Sequence, residues 1–280
     1  MLVAVAMFCL MDTVMKLLTS TYPPMQVAAL RALTSLPLVC AYVGWRGAFR
    51  SVFKVRWSLH LLRGALGIAM LALFAYGLKK LSLAEAYSIF FIAPALIMAL
   101  SVLVLKERVD AARWSAIVLG LVGVLVVLRP SGAGFLTLGG FAILAAATFY
   151  AISALAGRIL SRTDRGEHMV LWLMIMMAVG ASILAAPSWV ALRAQDALLL
   201  CALATTGFFG QVAITRAFTV GDASSIAPFE YTALAWGVAL DWILWRTLPD
   251  QYTIIGATII IASGVYLVRH EQAHAKSERP

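Results

Sequence analysis

Charged side chains are scarce in this chain. Asp, Glu, Lys and Arg make up 12% of its 280 residues, whereas 62% of the residues are hydrophobic and the mean hydropathy is +0.93. A soluble domain has about a quarter of its residues charged, and a chain of this length has too little interior to bury so much apolar surface. The composition therefore excludes an ordinary soluble domain and indicates a protein that lies in lipid.

Motifs that support catalysis are missing as well. The sequence has no phosphate-binding loop, no serine in a nucleophile-elbow pattern and no selectivity-filter motif. Its four histidines have no zinc-ligand companions at a suitable spacing. We therefore expect no enzyme activity, no metal site and no cofactor. A membrane-embedded enzyme or a helical assembly module is the alternative class.

Cysteine is rare, and the basic residues have a simple explanation. Cys9, Cys40 and Cys201 all lie in apolar segments, which predicts packing roles and no disulfide. A net charge of +9 would suggest nucleic-acid binding in a soluble protein. Here the basic residues lie mainly in short loops between apolar runs, so they indicate orientation in a membrane and no nucleic-acid partner.

Long apolar runs are what the chain has instead. Backbone polar groups in lipid must pair within the protein, and runs near 20 residues match a helix that crosses a ~30 Å hydrocarbon layer. The predicted class is an all-α membrane protein with ten transmembrane helices and the lipid bilayer as its partner. Residues 271–280 are predicted to form a disordered tail. The ten predicted spans are 1–18, 24–44, 57–78, 82–105, 111–128, 135–156, 169–186, 196–219, 223–245 and 251–268.

The loop charges predict the orientation of the chain. With a cytoplasmic N-terminus, thirteen Lys and Arg residues fall on the cytoplasmic side and five on the opposite side. Cytoplasmic loops of membrane proteins carry such an excess. Both termini are therefore predicted to be cytoplasmic.

The two halves of the sequence share a pattern. A shift of 140 positions places Lys79–Asp110 over Thr219–Asp250, and both stretches read as a polar turn, a span with an interior proline and a charged turn that ends in Asp. Five spans per half would make the halves cross the membrane in opposite directions. We therefore predict two inverted repeats, 1–130 and 131–270, with a substrate site near the midplane between them.

Several polar residues lie inside the predicted spans. An ionised group that faces lipid costs at least ~2.5 kcal/mol, so such groups should face the protein interior or water. Arg31 and Glu230 are the deepest, and two interpretations stay open. They form a buried pair with each other or with Asp12, or Glu230 contacts substrate or carries a proton.

The residues around Glu230 predict a ligand-facing surface. Ala227, Glu230, Tyr231 and Leu234 have the spacing of one helical face, and the repeat places Tyr87 and Phe91 on a related face. Aromatic rings beside a few polar groups suit a flat organic ligand, although simple packing explains such rings equally well. The predicted substrate-binding set is Glu230, Tyr231, Tyr87, Phe91, Gln211, Tyr150 and Arg31.

Prolines and glycines complete the pattern. Pro94 and Pro228 each remove a backbone hydrogen bond and are predicted to kink their helices and shape a cavity. The pairs Gly120–Gly123 and Gly207–Gly210 predict close helix contacts.

Motifs along nearly the whole chain resemble the drug/metabolite transporter superfamily of the EamA type. These are "LRALTSLPLV", "LRGALG", "YGLKKLSLAEA", "LVLKERVDAARWSAIVLGLVGVLVVLRP" and "ITRAFTVGDASSIAPFEY". One departure is Thr247, which stands where an acidic residue usually mirrors Glu107, so a symmetric role of Glu107 is in question.

The resemblance implies a secondary transporter of the bacterial inner membrane that works by alternating access. The last motif is most similar to the branch of riboflavin and S-adenosylmethionine importers. Our leading hypothesis is uptake of a planar heteroaromatic nutrient such as riboflavin. The alternatives are import of S-adenosylmethionine, and export of amino acids or drugs. A homodimer is compatible with either direction.

Overall fold

The computed structural model describes residues 1–81, 83–130, 136–246 and 250–277, and every regular element within these ranges is helical. The α-helices are α1 (Leu2–Leu18), α2 (Pro24–Trp45), α3 (Trp57–Leu78), α4 (Leu83–Phe90), α5 (Ala93–Leu100), α6 (Ala111–Leu128), α7 (Leu138–Leu160), α8 (Gly166–Ala185), α9 (Ala197–Val220), α10 (Ala223–Ile226), α11 (Thr232–Trp245) and α12 (Gln251–Ser277). A π-helical turn, Ser101–Leu105, continues α5, and 3-10 turns cover Phe49–Ser51, Ala186–Ser188, Ala194–Asp196 and Ala227–Tyr231.

Eight helical segments in the described part of the chain are long and apolar enough to cross a membrane. They are Pro24–Trp45, Trp57–Leu78, Glu85–Leu105, Ala111–Leu128, Leu138–Leu160, Gly166–Ser188, Ala194–Val220 and Gln251–His270. The predicted all-helical membrane class is therefore confirmed. The first predicted span is the 17-residue helix α1, and the ninth is divided into α10, a 3-10 turn and α11. Ten crossings in inverted halves remain a prediction.

Matching turns precede α6 and α12. Lys106 and Arg246 are 140 positions apart, and each follows the last residue of a helical segment. Both have a left-handed backbone conformation, with φ of 56° and 55°. Asp110 then accepts the Arg113 amide at 3.0 Å at the start of α6, and Asp250 accepts the Thr253 amide at 2.9 Å at the start of α12. A side-chain oxygen at this position satisfies one of the unpaired N–H groups of a helix end.

The helices divide into two compact units, and unit 1 contains residues 1–71 and 153–221. In unit 1, α2 packs against α8 and α9, and α1 packs against α9. Gly207 and Gly210 permit these approaches, because a Cβ at either position would collide with Ser35 or Phe8 respectively. The close helix contact predicted from this glycine pair is thus confirmed.

Unit 1 also contains a buried carboxylate in the loop between α7 and α8. Burial of Asp164 favours its neutral form, but hydrogen bonds from the Arg56 amide at 2.9 Å, the Thr163 hydroxyl at 2.8 Å and the His60 ring at 3.0 Å favour the charged form. The hydrogen bonds prevail, so the pKa of Asp164 lies below its ordinary value. The contact joins the start of α3 to this loop.

Unit 2 contains residues 72–152 and 222–280. In unit 2, α6 packs along α12, and their backbones meet where Gly123 faces Gly256. A Cβ on Gly123 would lie only 2.9 Å from the carbonyl oxygen of Gly256. The 3-10 turn Ala227–Tyr231 packs against α5 and α6. The described residues of this unit include the aromatic cluster that is considered below.

The compact units do not test the predicted repeats 1–130 and 131–270, which remain a prediction. Each compact unit takes one stretch from each predicted half, because helices that are distant in sequence pack together, as α2 does with α8. Helix α12 continues to Ser277, whereas we predict a disordered tail from Glu271. Residues 271–277 include Glu, Gln, Lys and two Ala, which have high helix propensity and allow the helix to continue. Residues 278–280 lie outside the described ranges.

Candidate functional site

Two interrupted helices provide the framework of the candidate site in unit 2. Helix α4 ends at Phe90, and α5 begins at Ala93 with Pro94 in its first turn. Between α10 and α11 the chain forms the 3-10 turn Ala227–Tyr231, which contains Pro228. Proline has no N–H group, so Pro94 cannot donate to the carbonyl four residues earlier, and the same holds for Pro228. The two interruptions pack against each other, because the 3-10 turn contacts α5.

Glu230 lies in the 3-10 turn and is half-buried. Its Oε1 accepts a hydrogen bond of 2.9 Å from the hydroxyl of Tyr150, which lies on α7. Both residues belong to unit 2. A carboxylate in this position can accept hydrogen bonds, attract a cation or take up a proton. The bond to Tyr150 holds Glu230 in one orientation beside the aromatic side chains.

Six aromatic rings form a continuous series next to Glu230, and we call them the aromatic cluster. Neighbouring ring centroids are 5.1 to 6.4 Å apart, which is within the range of favourable aromatic contacts. The series runs in the order Tyr150, Phe90, Phe74, Tyr87, Phe91, Tyr231.

The members of the aromatic cluster differ in exposure. Tyr87 is 41% exposed and offers its ring to the surroundings, whereas Phe91 and Tyr150 are half-buried. Tyr231 is only 1% exposed, and its ring packs on Gly120 of α6, where a Cβ would collide with it. Its hydroxyl has no hydrogen-bond partner among the described residues. Tyr87 and Phe91 thus keep part of their ring surface uncovered by the protein, and the buried Tyr231 packs against Phe91.

The winding of the 3-10 turn explains why Glu230 and Tyr231 have different surroundings. In an α-helix, Ala227 and Tyr231 would be about 40° apart around the axis and would share a face. A 3-10 turn has about three residues per turn, which increases this angle to about 120° and keeps Ala227 and Glu230 aligned. The single face predicted for Ala227, Glu230 and Tyr231 is therefore wrong for Tyr231, because the proline-containing turn is wound more tightly than an α-helix.

Gln211 and Arg31 belong to unit 1. Gln211 is buried on α9, and Arg31 is half-buried on α2, where it interacts electrostatically with Asp12 of α1. Glu230 has Tyr150 as its hydrogen-bond partner within unit 2. The structure thus brings five of the seven predicted substrate-binding residues together in unit 2, namely Tyr87, Phe91, Tyr150, Glu230 and Tyr231.

Sequence reasoning missed Phe74, Phe90 and the role of Glu107. Phe90 was detectable, because Tyr87, Phe90 and Phe91 have the i, i+3, i+4 spacing of one helical face. Phe74 lies on α3, and the sequence offers no signal that brings it to α4.

Glu107 accepts the backbone amides of Ala223 at 3.2 Å and Ser224 at 3.0 Å, and so caps the start of α10.

No group of three or more His, Cys, Asp or Glu residues in the described ranges could hold a metal ion. The chemistry of the candidate site consists of one carboxylate, tyrosine hydroxyls and aromatic rings. These groups favour noncovalent binding of a partly aromatic organic molecule.

Comparison with known proteins shows similarity along nearly the whole chain. The model of the EamA-like transporter family matches residues 1–129 and 137–269. A riboflavin transporter of Vibrio cholerae is 27% identical over 92% of this chain and 87% of the relative. An S-adenosylmethionine uptake transporter of Rickettsia prowazekii is 25% identical over 95% of this chain and 90% of the relative. A pseudopaline exporter of Pseudomonas aeruginosa is 24% identical over 94% and 92%, respectively.

A solved crystal structure has the same fold. It superimposes with a TM-score of 0.82 over 95% of this chain and 94% of the other, at 19% sequence identity. At this identity the likeness concerns the fold alone.

Proposed function

Because the chain belongs to the EamA-like transporter family, we propose that it is a secondary transporter that carries a small organic metabolite across the bacterial inner membrane. The proposed substrate is a planar heteroaromatic nutrient such as riboflavin, which the cell takes up. The relatives named above are transporters that act on different compounds and in both directions. The choice of substrate therefore depends on the chemistry of the site.

The observation that carries the proposal is the position of Glu230 beside the aromatic cluster. The accessible rings of Tyr87 and Phe91 can stack on the face of a flat ring system. Glu230 lies next to Tyr231, and the ring centroids of Tyr231 and Phe91 are 6.2 Å apart. The carboxylate can accept a hydrogen bond from an N–H or O–H group at the edge of such a ligand.

The proposed architecture has ten spans in two inverted halves, with both termini in the cytoplasm. Two observations support the repeat. Lys106 and Arg246 repeat the left-handed conformation at an offset of 140 residues, and Asp110 and Asp250 repeat the helix cap at the same offset. The excess of basic residues in alternate loops supports the orientation. In inverted-repeat carriers the substrate site is exposed alternately to the two sides.

Uptake of radiolabelled riboflavin into proteoliposomes tests the proposed substrate. We expect saturable uptake by the full chain and a large loss of uptake with Glu230→Ala. Phe91→Leu removes one stacking ring and should weaken transport by roughly twofold to tenfold, because an aromatic pair contributes about 0.5–1.5 kcal/mol beyond buried area. Phe141→Leu is the matched control, since Phe141 is an exposed ring on α7 outside the aromatic cluster. Equal uptake by all four proteins would refute the assignment.

Import of S-adenosylmethionine is the second candidate, and the carboxylate of Glu230 favours it because this substrate carries a positive sulfonium group. Glu230→Gln distinguishes the two substrates. Gln keeps an acceptor oxygen for a neutral heteroaromatic ligand but removes the negative charge that attracts a cation. Labelled S-adenosylmethionine and riboflavin should therefore be compared in the same vesicles. If Glu230→Gln changes neither the rate nor its pH dependence for either compound, Glu230 is not the substrate or proton group.

Export of amino acids or drugs is the remaining alternative, and the similarity to an exporter keeps it in view. A growth test with a riboflavin auxotroph, run beside a drug-sensitivity test, separates the directions. Rescue of the auxotroph supports uptake, whereas increased drug resistance without rescue supports export.

A further inference from the structure

A small polar cavity lies in unit 1, away from the aromatic cluster. Its volume is about 180 Å³, and its walls come from the end of α2, the start of α8 and the last turns of α9. Drug-sized ligands occupy pockets of roughly 300–1,000 Å³. A cavity of this size has room only for a small group. The residues that matter for its chemistry are Arg46, Gly166, Glu167, Thr215 and Arg216.

The charges around the cavity leave an excess of positive charge. Glu167 is buried, and its two carboxylate oxygens face two guanidinium groups, with Arg46 Nε at 2.8 Å and Arg165 Nε at 3.5 Å. Arg46 makes this contact through Nε alone, so its two terminal nitrogens have no partner in the described part of the chain. Arg216 also lines the cavity and adds a further positive charge, and its side chain is exposed. One carboxylate thus stands against three arginines.

The start of α8 adds partial positive charge to the same place. Gly166 is the first residue of this 20-residue helix and lines the cavity, and the preceding Arg165 provides no side-chain cap. The first N–H groups of a helix favour a negative ligand, and the Glu167 carboxylate already accepts one of them, its own amide.

Thr215 is an independent observation at the same cavity. It is only 5% exposed, it lines the cavity, and its hydroxyl has no hydrogen-bond partner within the described ranges. A buried hydroxyl without a partner lowers the stability of the fold. Such a group is expected to meet a ligand or an ordered water. Two arginine side chains line the same cavity, so an anion with several acceptor oxygens is the best partner for the Thr215 hydroxyl.

We infer that the cavity between Arg46, Thr215 and Arg216 binds the phosphate group of an anionic ligand. Phosphate has several acceptor oxygens, which match two arginine side chains, one hydroxyl and a helix N-terminus at the same time. The group can come from the head group of an anionic lipid or from a phosphate ion in solution. Basic pockets between transmembrane helices bind the head groups of anionic lipids in this way.

The experiment uses the full chain in nanodiscs of phosphatidylcholine and measures thermal stability. In one arm inorganic phosphate is titrated, with chloride at matched ionic strength. In the other arm phosphatidylglycerol replaces part of the lipid and no phosphate is added. The variants are Arg216→Gln and Thr215→Val, and the matched control is Arg162→Gln, which removes an exposed arginine outside the cavity.

We expect phosphate or phosphatidylglycerol to raise the melting temperature of the unmodified chain and of the Arg162→Gln control. Arg216→Gln should raise the phosphate concentration that gives half of the stabilisation by roughly tenfold or more, since hydrogen bonds to charged groups contribute about 1.5–3 kcal/mol. Thr215→Val should raise it less. A response to phosphate alone identifies a soluble ligand, and a response to phosphatidylglycerol alone identifies a lipid. No response in either arm, or equal responses in the variants and the control, would overturn the inference.

Discussion

The hydrogen bond between Tyr150 and Glu230 gives the sharpest test of the candidate site. Tyr150→Phe removes only the hydroxyl and keeps the ring, whose centroid is 5.8 Å from that of Phe90. Glu230 then loses the donor that holds its Oε1. The substitution therefore tests the hydroxyl group while the packing of the ring is kept.

The size of the effect follows from two competing estimates. Hydrogen bonds to charged groups contribute about 1.5–3 kcal/mol in soluble proteins. Polar contacts between transmembrane helices average about 0.6 kcal/mol and reach about 1.7, because the unfolded chain in the membrane also finds partners. The second estimate applies to a bond between α7 and the turn before α11. We therefore expect a loss of about 0.6–1.7 kcal/mol, or roughly 1–3 °C in melting temperature for a chain of this size.

A double-mutant cycle separates this bond from other effects of Tyr150. Thermal unfolding in detergent is measured for the unmodified chain, for Tyr150→Phe, for Glu230→Ala and for the double variant. Tyr150→Phe should lower the melting temperature by roughly 1–3 °C in the unmodified background and should have almost no effect when Glu230 is already Ala. Tyr76→Phe is the control, because Tyr76 is an exposed tyrosine on α3. An equal loss in both backgrounds would show that the hydroxyl acts through some other group.

Three further predictions concern the scaffold around the two sites. Gly120→Ala should lower the melting temperature by roughly 2–6 °C, since the new methyl group collides with the buried Tyr231 ring and overpacking costs about 1–3 kcal/mol. Gly237→Ala, which meets no atom within 4 Å, should not lower it. The lowered pKa of Asp164 makes its contribution to stability present above about pH 4 and lost as the pH falls through the folded-state value. Asp164→Asn should therefore be less stable than the unmodified chain at neutral pH, and the difference should shrink as the pH falls below about 4, as measured by thermal unfolding. Glu107→Gln should weaken the cap of α10 by about 0.5–2 kcal/mol, which hydrogen exchange at the α10 amides would detect as faster exchange, and unchanged exchange would contradict this role.

The helices could be predicted closely from the sequence because the bilayer imposes simple rules. A span must be apolar for about 20 residues, and the loops carry the charge. The predicted span 111–128 coincides with α6, and 24–44 differs from α2 by one residue. Their grouping into two compact units was not predictable, because most apolar faces are equally suited to lipid and to another helix. Local steric signals were more informative, and Gly123 correctly indicated a close contact.

The candidate site was only partly predictable, for a related reason. Glu230 stood out because a carboxylate is costly in lipid. Its partner Tyr150 is 80 residues away in the sequence, and no local pattern links the two. The surroundings of Tyr231 depend on the 3-10 winding after Pro228, which a periodicity of 3.6 residues cannot express. Residues that a helix break repositions are thus the ones on which pattern reasoning fails.

The two interrupted helices contribute different chemistry although they occupy matching positions in the chain. The first carries Tyr87 and Phe91, and the second carries Glu230. Glu107 follows the first interrupted helix and caps the start of the second, whereas its counterpart in the sequence is Thr247, which has no carboxylate and lies outside the described residues. A ligand with a flat apolar face and one polar edge is itself asymmetric. A site built from two identical halves would offer each of its ends the same group, so under the proposed function the divergence between the halves would select one binding orientation.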